Sequence, residues 1–103
     1  LSGPWMSGEP AIVLAALSGI KENGYDPDGK LINSLELLAK KTNSKNKKII
    51  YEICDSIYSI CKFMGNKVFF EKGKDILTKF IYPNYPKEIR DYARDTMGKI
   101  SNL

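Results

Sequence analysis

The chain has 103 residues, enough for one domain with a modest core and little stability to spare. With 43% apolar and 27% charged residues it is too apolar for a disordered chain. Its longest apolar run, AIVLAALSGI, is only about half of a membrane span. Fourteen lysines and two arginines give a net charge of +4, which permits an anionic partner without requiring one.

LSGPW, ahead of Met6, reads as an addition before the native start, so residues 1–8 are set apart as added or disordered and a single domain is expected over 9–103. Helical spacing dominates from there, and no stretch alternates as a half-buried strand does. The first helix is expected over 9–24: Pro10 suits a first turn and Gly24 a C-terminal stop. YDPDGK has the composition of a turn. KLINSLELLAKK reads as a second helix, with Leu31, Leu35 and Leu38 on one side and Ile32 beside them. TNSKN breaks it. The third helix, KKIIYEICDSIYSICKFMG, is the most apolar, and Gly65 is its natural cap. A fourth covers KVFFEKGKDILTKFIY, where Gly73 costs about 1 kcal/mol relative to Ala and weakens the first turns. Pro83 ends it, Pro86 suits the first turn of a fifth helix, and Glu88 complements that helix's dipole.

Five helices joined by short polar turns make an all-α fold. Shifting the chain by 40 residues lays Ile49, Ile53, Ile57 and Ile60 on Ile89, Ala93, Met97 and Ile100, with Asp55 on Asp95 and Ser56 on Thr96. With one residue inserted, Leu35 and Leu38 meet Ile76 and Lys79, and Leu77 and Phe80 complete the apolar side. A two-helix unit recurring near 40 residues is the signature of a stacked helical solenoid. The third helix is apolar over a wide arc and needs neighbours on more than one side, whereas the fifth is polar over most of its surface, as a terminal unit must be. The expected architecture is therefore a short right-handed α-solenoid of about two and a half antiparallel helix pairs: a leading helix over 9–24 and repeats over 31–65 and 67–103. The alternative is a compact five-helix bundle.

EIRDYARDTMGKI resembles the second helix of a HEAT repeat, with Ile89-Arg90, Ala93, Met97-Gly98 and Ile100 at the family's Val-Arg, Ala, Leu-Gly and apolar positions. DILTKFIYPNYP resembles the first helix and the turn after it, so the resemblance is best over residues 71–103. It implies a scaffold that binds another protein along a helix face, not a reaction. Tyr51, Asp55, Arg90, Asp91 and Arg94 are the candidate protein-binding surface, and exposed end faces are candidates for self-association.

Few residues suit catalysis or metal binding. There is no His, which removes the commonest general base and metal ligand. Cys54 and Cys61 lie two helical turns apart, about 10 Å along the axis, too far for a disulfide. They read as structural thiols of an intracellular protein, and without His they make a poor zinc site. If Gly29 were the sixth residue of a calcium loop, Leu35 would hold the place of the bidentate Glu. As a phosphate loop, the same stretch puts Leu31 where Ser or Thr belongs and places Asp26 and Asp28 against the phosphate. No cofactor and no enzyme activity are expected, and no membrane partner. AKKTNSKNKK remains, with Lys40, Lys41, Lys45, Lys47 and Lys48 and no acid between Glu36 and Glu52. It reads either as a solvated turn or as a phosphate-contacting edge for DNA or RNA.

Overall fold

The structure, a computed structural model, describes residues 10–103, so the expectation for residues 1–8 lies outside it. Five α-helices follow in order: α1 (Pro10–Glu22), α2 (Lys30–Lys41), α3 (Lys47–Met64), α4 (Lys67–Thr78) and α5 (Lys87–Ser101), with a short 3-10 turn over Lys79–Ile81. There is no strand among the described residues.

Local chemistry sets the boundaries. Gly65 ends α3 in the left-handed conformation (φ 62°), its N–H donating to the Cys61 carbonyl at 2.9 Å. Asn66 then caps α4, its side-chain oxygen accepting from the Phe69 N–H. The fourth helix, expected to run to Tyr82, is α-helical only to Thr78. Its last turn tightens to 3-10, and Tyr82 is extended (ψ 154°) because Pro83 disfavours helical backbone in the residue before it. Pro86 caps α5 from outside rather than sitting within its first turn.

Helices of like orientation lie side by side. Ser56 Oγ donates to the Leu17 carbonyl and Ser59 Oγ to those of Ile20 and Lys21, so the C-terminal halves of α1 and α3 match. Lys47 pairs with Glu88 at 3.4 Å, the Tyr51 and Tyr92 rings meet edge to face at 4.8 Å, and Lys99 lies over the Tyr58 ring. These partners advance together along α3 and α5, so these two helices are also parallel. In the second layer Lys72 pairs with Glu36 at 2.8 Å and Lys79 Nζ donates to the Ala39 carbonyl at 2.6 Å, which makes α2 and α4 parallel. Helix α3 stands between α1 and α5 and packs against α2 and α4 beneath. The extents of 32 × 30 × 18 Å fit two helix layers. Neighbours in an up-and-down bundle run antiparallel; here antiparallel pairs stack on one another.

The core lies between the layers. Leu17, Leu35, Ile50, Ile53, Ile57, Ile60, Leu77, Phe80, Ile89 and Ile100 are fully buried. Positions that coincide on the 40-residue shift agree in burial: Ile49, Ile53, Ile57 and Ile60 are buried, as are Ile89, Ala93 and Ile100, with Met97 half-buried. Two close approaches need glycine. A Cβ on Gly24 would stand 2.5 Å from the Ser59 backbone, and one on Gly73 would stand 2.8 Å from Cys61 Sγ and 2.9 Å from Ile57 Cγ2. The glycine that weakens α4 locally is thus what lets α4 cross α3 closely.

Candidate functional site

Of the candidate protein-binding residues, Tyr51 and Asp55 lie half-buried in the seam between α3 and α5. The Tyr92 hydroxyl donates to Asp55 Oδ1 at 2.5 Å while its ring meets that of Tyr51. Burial, then the Asp55 carboxylate, raises the Tyr92 pKa, so the phenol stays protonated and the bond persists across neutral pH. Both residues spend their side chains holding the layer together. Arg90 is half-buried, and its Nε has no hydrogen-bond partner among the described residues. Asp91 joins Lys87 (2.7 Å) and Arg94 (3.7 Å) on the outer face of α5, and these cations, Lys87 foremost, lower its pKa. Arg94 is exposed, so the reachable part of this surface is the charged outer side of α5.

The lysine-rich segment occupies one end of the molecule. Lys40 and Lys41 close α2, Lys45 lies in the turn where its N–H donates to Asn43 Oδ1, and Lys47 and Lys48 open α3. All five are exposed. Lys47 is paired with Glu88, whereas Lys40, Lys41, Lys45 and Lys48 have no carboxylate partner among the described residues. The parallel α3 and α5 also bring their N-termini to this end, where α3 has no side-chain cap, while α2 ends there with its negative pole beside Lys40 and Lys41.

Between α2 and α4 lies an open cleft of about 180 Å³, lined by Glu36, Ala39, Lys40, Asp75, Ile76 and Lys79. Burial, and secondarily the Lys40 ammonium, lowers the Lys79 pKa, while donation to the Ala39 carbonyl satisfies one orphan acceptor at the end of α2. Ala39 and Ile76 supply an apolar floor and the charged groups a rim.

Cys54 and Cys61 are free and buried. Desolvation pushes their pKa values up to about 12 and about 11, which leaves little thiolate for nucleophilic attack or metal binding. Among the described residues no group of three His, Cys, Asp or Glu is placed to hold a metal ion, and no helix is long and apolar enough to cross a membrane.

The surroundings of two residues are not legible in the sequence. The DPDG stretch has the composition of a turn, yet Asp26 is buried and its two carboxylate oxygens accept from the Leu31 and Ile32 N–H groups, both at 2.9 Å. It anchors the start of α2 from outside the usual capping position. Tyr82, 56% exposed, belongs to the turn after α4, which leaves from the same end of the molecule as the turn after α2. Compared with models of known protein families, with curated proteins and with solved structures, the chain shows no match.

Proposed function

We propose that this chain is a non-catalytic helical-repeat scaffold, HEAT-like in its last repeat, that binds another protein along the outer side of its parallel helix layer. One observation carries the reading: α1, α3 and α5 lie side by side in one orientation, and α2 and α4 do the same beneath them. Stacking of this kind builds an extended helical surface whose ends can also meet a second copy. Burial of Ile89, Ala93 and Ile100 in the HEAT-like stretch supports the reading, as it would any helix packed by its apolar stripe. Thiols kept reduced in the core accord with an intracellular setting.

A photo-crosslinking residue at Arg94 tests this in cells of the source organism. The scaffold reading expects a discrete adduct that persists when Lys45 and Lys48 are replaced by alanine. Adducts from a probe at Lys45 but none from Arg94 would contradict it.

The second reading is a polyanion-binding end, and the unpaired Lys40, Lys41, Lys45 and Lys48 favour it. Glu36 and Glu52, one helical turn from Lys40 and Lys48, and Glu88 at the start of α5 already have cationic partners in Lys72, Lys21 and Lys47. Such an end would meet phosphate backbones without reading sequence, because Arg, the residue suited to bidentate base contacts, is absent from the segment.

A further inference from the structure

The polyanion-binding reading leaves open whether duplex or single strand is taken, and the placement of Tyr82 bears on that choice. Because α2 and α4 are parallel, with Lys79 donating to the Ala39 carbonyl, the turns that follow them leave from the same end of the molecule. One turn, residues 42–46, carries Lys45 and is flanked by Lys41 and Lys48. The other, residues 82–86, carries Tyr82. The Lys47–Glu88 pair ties the first turns of α3 and α5 together on the other side. The turn that carries Tyr82 therefore shares an end of the molecule with Lys41, Lys45 and Lys48, which are 34 to 41 residues away in sequence.

Tyr82 is also held. Pro83 keeps its backbone extended, its carbonyl accepts from the Tyr85 N–H at 3.0 Å, and Tyr85 is buried with its ring edge to face on Phe80 at 5.4 Å. The turn is fastened to the core while its first side chain stays in solvent. The backbone beneath Tyr82 is thus fixed, so stacking a planar group on its ring costs chiefly the freedom of that one side chain.

Resting on the polyanion-binding reading, we infer that this end binds single-stranded nucleic acid, with Lys41, Lys45 and Lys48 contacting phosphates and the Tyr82 ring stacking on a base. A duplex keeps its bases stacked inside and offers the ring nothing. An acidic protein segment would use the lysines but gain nothing from the ring.

Fluorescence anisotropy decides between these occupants. The probes are a fluorescein-labelled oligothymidylate of ~12 nucleotides and its duplex with oligoadenylate, matched to the span of a small single-strand site. Salt runs from about 50 to about 200 mM, and polyglutamate serves as competitor. The single strand is expected to bind more tightly than the duplex, with a log–log salt slope near −2 to −3 for three or four phosphates. Lys45→Ala/Lys48→Ala should make that slope shallower by about 1.4. Tyr82→Ala should weaken single-strand binding about tenfold and leave duplex binding unchanged, while Tyr82→Phe, which keeps the ring, should match the parent. Circular dichroism of each variant should overlay the parent, since all three side chains are exposed.

Equal affinity for both probes, with no effect of Tyr82→Ala, would overturn the single-strand inference and leave the phosphate reading standing. Polyglutamate competing as well as oligothymidylate, charge for charge, would overturn it in favour of an acidic protein partner. No binding of either probe at the lowest salt would remove both the inference and the reading beneath it.

Discussion

Gly73 is the residue where local and tertiary demands oppose each other most directly. Within α4 it costs about 1 kcal/mol relative to alanine, yet the space for a methyl group is filled by Cys61 Sγ and Ile57 Cγ2. Overpacking costs about 1–3 kcal/mol, so after the helix gain Gly73→Ala should lose up to about 2 kcal/mol net in urea unfolding. Gly19 is the control: it lies exposed inside α1, and a methyl group added there would meet nothing within 4 Å, so Gly19→Ala should gain up to about 1 kcal/mol. If both substitutions stabilise the protein, the α3–α4 approach is looser than described. The helical pattern reveals that Gly73 sits in a helix, but its cause is a contact with residues 12 and 16 positions away, which periodicity does not carry. Asp26 is hidden for a related reason. It reaches over Pro27, Asp28 and Gly29 to the N–H groups of Leu31 and Ile32, past the position where a cap is ordinarily sought.

At the scale of elements, α2 and α3 are legible almost to the residue, because each has a clear apolar stripe and α3 ends at a glycine. Their cross-helix polar partners are not, since a stripe tells which side is buried but not what its flanks meet. Tyr51 and Asp55 have the sequence character of free surface and instead close the α3–α5 seam on Tyr92. The Glu36–Lys72 pair between α2 and α4 belongs here too. Its hydrogen bond from Lys72 outweighs desolvation and holds the Glu36 pKa below its ordinary 4.5. A depressed carboxylate pKa contributes stability above the unfolded value and loses it as pH falls through the folded value. Glu36→Gln should therefore cost up to about 1 kcal/mol near pH 7, a modest figure because both side chains are partly solvated. The difference from the parent should disappear as pH drops below the folded Glu36 pKa. Chemical unfolding of both proteins across that range checks this, and a pH-independent difference would point to lost packing rather than lost charge.

For the whole molecule, the arrangement that matters is two layers of parallel helices. The 40-residue echo in the sequence points to it, and the matched burial of Ile49, Ile53, Ile57 and Ile60 with Ile89, Ala93 and Ile100 explains the echo: each set seats a helix of the same layer on the same core. The direction in which each layer runs is fixed only by contacts between residues far apart in sequence. That is why the lysines are visible as a cluster in the sequence while the arrival of the Tyr82 turn at the same end is not. Lys40, Lys41, Lys45 and Lys48 lie at the end where α3 and α5 begin, and Tyr25 and Phe63, in edge-to-face contact at 5.8 Å, lie exposed at the opposite end together with Lys62 and Lys67. Spin–spin distances test the orientation itself. Nitroxide labels go on Lys48→Cys paired with Lys87→Cys, then on Lys48→Cys paired with Asn102→Cys, with the buried native thiols left unlabelled. Helix α5 is about 22 Å long, so the account predicts that the first pair is shorter than the second by roughly 15 Å. Equal distances, or a shorter Lys48–Asn102 pair, would contradict the parallel α3–α5 layer and the proposed binding end that rests on it.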